Sequence, residues 1–270
     1  TSECTQCAAG TYSDASGAAA STTCQKCAPG KYSASSGAID VLTCQACQPG
    51  KYSSRTAATA CDACSAGRYS NNMGATNVST CINCIPGKYS ESGASVCTDC
   101  AAGKYSIDTE APSAQSCQLC PVGKYYTMTG ASACNNCAAG RYSAAFGASD
   151  ASTCDECSPG SYQFEPGSSS CVPCFTGSFA PEAESLTCKP CAMNTYADEF
   201  GLSSCKQCKG SNVTLTMGAL QCVEPVKCPM GQWSTSGYTP CTSCPAGQVS
   251  TDTEASKGCK KCESGTITST

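Results

Sequence analysis

The sequence predicts a small disulfide-rich repeat protein, an elongated rod of tandem single-disulfide modules with short irregular strands and almost no helix. Three observations support this fold class. The chain has 30 cysteines in 270 residues, Leu, Ile, Val and Phe together number only 25, and a segment of the form Cys-x-x-Gly-x-aromatic-Ser recurs throughout. Apolar burial cannot offset the backbone entropy of so polar a chain, so covalent cross-links must take the place of a hydrophobic core.

The cysteines define the repeat. Fourteen Cys-x-x-Cys pairs begin at positions 4, 24, 44, 61, 81, 97, 117, 134, 154, 171, 188, 205, 241 and 259, and Cys222 and Cys228 occupy the remaining slot. The period of 16 to 20 residues places the chain among repeat proteins, and a typical unit reads "CQPGKYSSRTAATAC" from residue 47 to residue 61.

A glycine and an aromatic ring follow the cysteine in most units. The glycine suits a turn that needs positive φ, and Asn194, the next most tolerant residue type, replaces it once. The glycines are Gly10, Gly30, Gly50, Gly67, Gly87, Gly103, Gly123, Gly140, Gly160, Gly177, Gly231 and Gly247. The rings are Tyr12, Tyr32, Tyr52, Tyr69, Tyr89, Tyr105, Tyr125, Tyr142, Tyr162, Phe179, Tyr196 and Trp233. Because most modules have no other large apolar group, we expect the rings to cover the disulfides or the next module and to form a ladder.

Three pairing schemes compete for the cysteines: closure within each Cys-x-x-Cys, crossed pairing of neighbouring doublets, or pairing of the second cysteine of one doublet with the first of the next. Fifteen doublet slots are an odd number, so crossed pairing leaves one over. The segment "CVEPVKC" from 222 to 228 expands a doublet while the long loops keep their usual length. Insertions are most easily accommodated in linkers, which favours the third scheme, with closed long loops.

That scheme predicts fourteen bridges, each enclosing 12 to 16 residues and contributing about 3 kcal/mol in the chain-entropy description. The predicted pairs are Cys7 with Cys24, Cys27 with Cys44, Cys47 with Cys61, Cys64 with Cys81, Cys84 with Cys97, Cys100 with Cys117, Cys120 with Cys134, Cys137 with Cys154, Cys157 with Cys171, Cys174 with Cys188, Cys191 with Cys205, Cys208 with Cys222, Cys228 with Cys241 and Cys244 with Cys259. Cys4 and Cys262 remain, either unpaired within the chain or bridged between subunits.

The pairing implies a domain organisation. We expect the end of a preceding module at 1–6, twelve tandem modules at 7–222, an expanded linker at 223–227, two further modules at 228–259 and the start of a next module at 260–270. In that last segment Gly265 would stand at the turn and Ile267 in the ring position. We also expect each module to contact only its neighbours in an open-ended stack, as in other repeat arrays.

The motif Cys-x-x-Gly-x-Tyr with a single closing bridge resembles the ephrin-receptor-like cysteine-rich repeat and, more loosely, the tumour-necrosis-factor-receptor type. The resemblance covers nearly all 270 residues and weakens at "CKGSNVTLTMGALQC" (208–222), where Ser211 and Val213 replace the glycine and the ring, and at Val249. It implies an elongated extracellular array, and both receptors and structural surface proteins use such modules.

Catalytic and metal chemistry find little support. The doublet spacing matches a zinc ribbon, but pairing doublets into four-thiolate sites leaves one doublet unused. A dithiol redox site would need only one doublet. The chain has no histidine, and Asp155-Glu156 and Asp198-Glu199 read as solvated loop carboxylates rather than a catalytic pair. We therefore predict no enzyme activity, no metal and no cofactor.

The same composition indicates where the chain works. Abundant, evenly spaced cysteines fit an oxidising extracellular or cell-surface setting, and the sequons at Asn77 and Asn212 predict N-linked glycans, with O-linked sugar an option. The net charge of -4 without a basic stripe argues against nucleic acid. The absence of an initiator Met, a leader and a long apolar run suggests a mature or excised segment that does not insert into a membrane.

Seven basic residues precede the rings, and we expect them to be solvated with their alkyl stems over a neighbouring ring, the alternative being an aligned patch for acidic glycans or a partner. They are Lys31, Lys51, Arg68, Lys88, Lys104, Lys124 and Arg141. The functional hypothesis is a non-catalytic structural array in a surface filament or appendage. It would be joined head to tail with itself or with neighbouring modules. The alternative is the ligand-binding or adhesive ectodomain of a receptor, with the linker 223–227 and Trp233 marking a binding region and another surface protein as partner.

Overall fold

The computed structural model describes residues 4–16, 21–250 and 255–263. Fourteen disulfides follow one another in tandem, each joining the second cysteine of one doublet to the first of the next, with Cα–Cα distances of 5.5–5.8 Å. We number the disulfide-closed loops modules 1 to 14, from Cys7–Cys24 to Cys244–Cys259. These are the fourteen pairs named above. Gly265 and Ile267 lie outside the described residues.

Each regular module contains one two-stranded antiparallel hairpin. The two residues after the turn glycine pair with the two residues inside the following Cys-x-x-Cys, as Lys31 and Tyr32 pair with Ala46 and Gln45. The strands are β1 Thr11–Tyr12, β2 Gln25–Lys26, β3 Lys31–Tyr32, β4 Gln45–Ala46, β5 Lys51–Tyr52, β6 Asp62–Ala63, β7 Arg68–Tyr69, β8 Ile82–Asn83, β9 Lys88–Tyr89, β10 Thr98–Asp99, β11 Lys104–Tyr105, β12 Gln118–Leu119, β13 Lys124–Tyr125, β14 Asn135–Asn136, β15 Arg141–Tyr142, β16 Asp155–Glu156, β17 Ser161–Tyr162, β18 Val172–Pro173, β19 Ser178–Phe179, β20 Lys189–Pro190, β21 Thr195–Tyr196, β22 Lys206–Gln207, β23 Gln232–Trp233, β24 Thr242–Ser243, β25 Gln248–Val249 and β26 Lys260–Lys261.

The described helices are six single 3-10 turns, which confirms the prediction of a disulfide-rich repeat with short strands and almost no helix. They are η1 Ser21–Thr23, η2 Val41–Thr43, η3 Val78–Thr80, η4 Ala114–Ser116, η5 Ala151–Thr153 and η6 Ala255–Lys257. The first five lie in the modules whose cysteines are 17 residues apart, so the extra residues of the long loops form the turn. Asp40 and Asn77 cap η2 and η3 by accepting a hydrogen bond from the backbone N–H two residues on.

The interior consists of sulfur and small side chains. Every buried apolar residue among those described is Cys or Ala, and the serine after the ring is buried with them, as in Ser70. Large apolar side chains lie outside, with Leu42 82% and Ile39 77% exposed. The scarcity of Leu, Ile, Val and Phe therefore reflects an interior with no room for them.

Neighbouring modules are joined by backbone hydrogen bonds. At the joint of modules 1 and 2, Gly10 and Ser13 donate to the carbonyls of Ser33 and Ala38, and Gly37 and Cys27 donate back to Cys7 and Gly10, at 2.7–3.0 Å. The same four bonds recur in the joints from 1/2 to 6/7 and from 8/9 to 10/11. Each contributes about 0.5–1.5 kcal/mol net, so a complete joint is worth several kcal/mol.

The joint between modules 12 and 13 is built differently. Among the described residues none of the four bonds forms there. Cys228 donates instead to Gly237 within its own module, and Val213 pairs with Val223 of the linker. Regular bonding resumes at the 13/14 joint, where Gly231 donates to Ser250 and Cys244 donates to Gly231. The expanded linker thus interrupts the series of backbone hydrogen bonds between modules at this joint.

The chain divides into two compact units, Thr1–Asn136 with Ala145–Thr153, and Cys137–Ala144 with Cys154–Thr270. Each unit is a stack of the modules just described, and module 8 contributes residues to both. Within the described part of the chain, no helix has the length and apolarity needed to cross a bilayer.

Candidate functional site

The repeated joint is the candidate functional site of this fold. Among the described residues no three Cys, Asp, Glu or His side chains come together as a metal site. Because 28 cysteines are consumed in disulfides, they do not provide the thiolates that the zinc-ribbon interpretation requires. Asp155 and Glu156, predicted as solvated loop carboxylates, are both exposed but lie on strand β16, and Glu156 forms an ion pair with Arg141.

Each turn glycine makes a contact that the motif does not reveal. A Cβ added to Gly50 in module 3 would collide with the carbonyl oxygen of Gly93 in module 5. The same holds for eight further glycines, each facing the backbone of the second module along the chain: Gly10, Gly30, Gly67, Gly87, Gly103, Gly140, Gly160 and Gly177. The expectation that modules contact only their neighbours is therefore wrong, because the turn glycine of each of these nine modules also contacts the backbone of the second module along the chain.

Two separate requirements select glycine at the turn, a positive φ and the absence of room for a Cβ. All twelve turn glycines have positive φ and Asn194 has φ 64°, which confirms the conformational reason for the motif. Asn194 carries a side chain, and its N–H donates to the hydroxyl of Thr214 at 2.8 Å instead of to a backbone carbonyl. Among the described residues, Gly231 and Gly247 have no atom within 4 Å of an added Cβ. In modules 13 and 14, therefore, only the φ requirement remains.

The basic residue before each ring has a fixed environment. Its cross-strand partner is the last residue before the first cysteine of the next module. Its other neighbour is the positive-φ residue of the second module along, which lies against the preceding turn glycine. Arg68 pairs with Asn83 across β7 and β8 and bonds the carboxylate of Glu110 at 3.0 Å. Arg141 bonds Glu156 across the strands at 2.6 Å and also bonds Glu184 two modules on.

These contacts explain two strained residues. Glu110 has φ 60° and Glu184 has φ 56°, at a position where most modules have glycine. The cost of a left-handed conformation for such residues is about 1–2 kcal/mol. Here each acid reaches an arginine of the module two before it, so the ion pair reinforces the contact that the backbone already makes.

The other lysines of this series divide by their partners. Lys88 faces Asp99 across the strands and bonds it at 2.5 Å, and this hydrogen bond lowers the pKa of Asp99. Lys31, Lys51, Lys104 and Lys124 face Ala46, Ala63, Leu119 and Asn136 instead, and within the described residues they form no ion pair. Because three of the seven basic residues are already paired, a uniform basic patch does not form.

A second ionic cluster joins module 11 to Lys206, the residue that follows its closing cysteine. Lys206 bonds Asp198 at 2.6 Å and Glu199 at 2.9 Å. The hydrogen bond with Asp198 is the main cause that raises the pKa of Lys206, and it lowers the pKa of Asp198. Asp198 and Glu199, predicted to be solvated loop carboxylates, are therefore both ion-paired with one lysine.

The rings do not form the predicted ladder. All of these rings are half-buried. Among the described residues the one pair of rings in contact is Phe175 with Phe200, whose centroids are 5.8 Å apart, and neither ring belongs to the repeated series. The tyrosine backbone instead pairs with an alanine of the next module, and its hydroxyl in modules 1, 2 and 6 donates to the cross-strand glutamine. Trp233 of module 13 lies beside Gly258 of module 14, so its ring packs at the joint between these two modules.

The two leftover cysteines are free thiols, with Cys4 exposed and Cys262 half-exposed. The N–H of Cys262 donates to the carbonyl of Gly247 at 3.0 Å, which is the bond that the first cysteine of the following module makes at each of the nine regular joints. Of the sequons, Asn77 and Ser79 are exposed, whereas Thr214 of the second is buried at 1% exposure.

Two stretches of the chain, residues 40–81 and 177–222, match the family described as tyrosine-protein kinase ephrin type A/B receptor-like. Both stretches are therefore similar to the receptor-like cysteine-rich repeats that this family describes. The second includes module 12, where the motif is weakest. No curated protein matches the chain at a significant level.

Replacing Gly50 by Ala should destabilise its joint far more than replacing Gly231. Both glycines have positive φ, 86° and 80°, but only Gly50 has a carbonyl in the space of the new Cβ. We expect Gly231→Ala to cost about 1–2 kcal/mol and Gly50→Ala to cost more than about 3 kcal/mol, because backbone must move. Hydrogen exchange of the Ser53 and Ser234 amides, which donate across the two joints, reports both values. Equal losses would show that the contact between alternate modules is not formed.

Ala57 and Glu110 give a matched pair of strained positions, with φ 58° and 60°. Ala57→Gly should stabilise its joint by about 0.5 kcal/mol, because relief of strain exceeds the added backbone entropy. Glu110→Gly should bring no gain, because it also removes a half-exposed ion pair worth about 0.2–1 kcal/mol. Amide exchange at Ser33 and Ser90 measures the two effects. High salt should narrow the difference, and a gain for Glu110→Gly at low salt would argue against the ion pair.

Proposed function

We propose that the chain is a non-catalytic extracellular structural array, used in a surface filament or appendage. The observation that carries the proposal is the repetition of one joint. Nine joints have the same four backbone hydrogen bonds, although the loops between their cysteines vary from 13 to 17 residues in separation. A constant joint combined with variable loops suits a protein whose task is to keep its modules in register.

The chain-end thiols support continuation of the array. Cys262 makes the backbone bond of a first cysteine, and Cys4 precedes module 1 as a closing cysteine would. We propose that each is bridged to the complementary half of a module, supplied by a second copy of this chain or by adjoining modules. Such a bridge would extend the same ladder of joints.

The alternative function is a ligand-binding or adhesive ectodomain, and the match to receptor-like repeats favours it. The sequence feature expected to mark a binding region was the linker with Trp233. Trp233 is half-buried at the joint of modules 13 and 14, which leaves less of the ring for a ligand. We therefore rank the structural array first.

Disulfide mapping of unreduced protein tests the assembly. A peptide joining Cys262 to Cys4, together with fibres or oligomers in electron micrographs, is the expected result. Cys262→Ser should abolish the cross-linked species, whereas Lys261→Ser, at the neighbouring exposed position, should leave it intact. Protein that stays monomeric with Cys262 blocked by a small thiol would favour the ectodomain.

We also propose that Asn77 carries an N-linked glycan. Its side-chain oxygen accepts from the Ser79 N–H at 2.9 Å and caps η3, which leaves the amide nitrogen pointing away from that bond. Ser79→Ala should therefore remove the glycan, because the sequon is lost, while the cap and the stability are kept. Intact mass with and without peptide N-glycosidase measures the loss. Thr80→Ala, which leaves the sequon unchanged, is the control. If glycosidase treatment removes the same mass from wild type and from Ser79→Ala, the proposal is contradicted.

A further inference from the structure

We propose that the array bears tension and that its disulfides limit how far it extends. This inference deepens the structural role proposed above and rests on it. It concerns how a load applied along the chain passes through the modules, and it is carried by the disulfide connectivity and by the joints.

In every module the load path bypasses the loop. A pull along the chain enters a module at its first cysteine and leaves at its second, and the bridge holds their Cα atoms 5.5–5.8 Å apart. The 12 to 16 residues between them carry no load. The loaded chain consists of the bridges and the short Cys-x-x-Cys linkers.

This connectivity sets a ceiling on length. Between Cys7 and Cys259 the load path has fourteen bridges and 42 peptide units, so its contour is about 230 Å at about 3.6 Å per unit. The same segment without bridges has a contour of about 900 Å. Other pairings would not give this limit. Closure within each Cys-x-x-Cys, for example, would leave every long loop under load.

The joints resist before the ceiling is reached. Pulling modules 3 and 4 apart breaks four backbone bonds and also withdraws Gly50 from Gly93 two modules on. Since each such contact spans two joints, one joint does not open without disturbing the next. The ion pairs of Arg68 with Glu110 and of Arg141 with Glu184 act across the same span.

The 12/13 joint is the compliant point. It lacks the four bonds of a regular joint, and its linker from Cys222 to Cys228 is longer than any other. That linker is held instead by the pairing of Val213 with Val223 and by the bonds between Val226 and Thr239. Under load it should yield first, by at most about 20 Å of chain. The remaining joints should yield later and in small steps.

Single-molecule pulling of the intact chain, held by peptide tags at its two ends, tests the inference. Cys4→Ser and Cys262→Ser should be included so that the ends do not cross-link. In the oxidised protein we expect steps of no more than about 20 Å and a limiting contour near about 230 Å between Cys7 and Cys259. Dithiothreitol, which reduces each bridge to two thiols, should then release steps of about 40–55 Å, one for each bridge.

Two matched variants make the step length diagnostic. Removing the bridge of module 6, Cys100→Ser with Cys117→Ser, should add one oxidised step of about 55 Å, because its cysteines are 17 residues apart. Removing the bridge of module 5, Cys84→Ser with Cys97→Ser, should add one of about 41 Å, for a separation of 13. If one variant fails to fold, the other still tests the assignment.

The outcomes separate this inference from the proposed function. Steps above about 40 Å in the oxidised wild type, or joints that open without measurable force, would overturn the tension-bearing role. A monomeric protein with the expected steps would instead overturn the filament while leaving the load path intact.

Discussion

The whole structure depends on the covalent bridge that closes each loop. It fixes the two ends of a loop at 5.5–5.8 Å whatever the loop contains, and so it takes the place that a hydrophobic core has elsewhere. Once the ends are fixed, the turn after the first cysteine and the doublet after the second are adjacent, and the hairpin between them forms from only two residues a strand. The joints are built on these hairpins, so they inherit their regularity from the sulfur bridges.

The sequence predicts the part of this fold that is local. Cysteine spacing, the positive-φ turn and the order of modules all follow from residues within one repeat, and Asn194 at a glycine position was informative because only φ was at issue there. The contact between alternate modules was missed, because it depends on the angle between successive joints, which no single repeat encodes. One signal of it was present. Glu110 and Glu184 stand where glycine is usual, at similar distances along the chain from Arg68 and Arg141.

The prediction of a ladder of aromatic rings was wrong for a related reason. An aromatic residue in most modules suggests stacking when no other apolar group is available. Pairing through the tyrosine backbone is the alternative, and the pattern of side chains in the sequence gives no sign of it. The structure uses the tyrosine main chain for the joint and its hydroxyl for the cross-strand glutamine. Small residues then fill the interior, which is why serine and alanine, rather than leucine, accompany the cysteines.

In this fold the number of residues in a loop does not affect how its module is closed, because the cysteines lie the same distance apart in short and long loops. At the nine regular joints, modules with a 3-10 turn and modules without one are closed by an equivalent pair of cysteines and make the same four backbone hydrogen bonds. A change of a few residues in a loop therefore alters what the module shows to its surroundings without altering the register of the stack. Within each loop, the residues that enter the joints are constrained, whereas the residues that vary in number between modules, such as those of the 3-10 turns, are free to diversify while the scaffold stays the same.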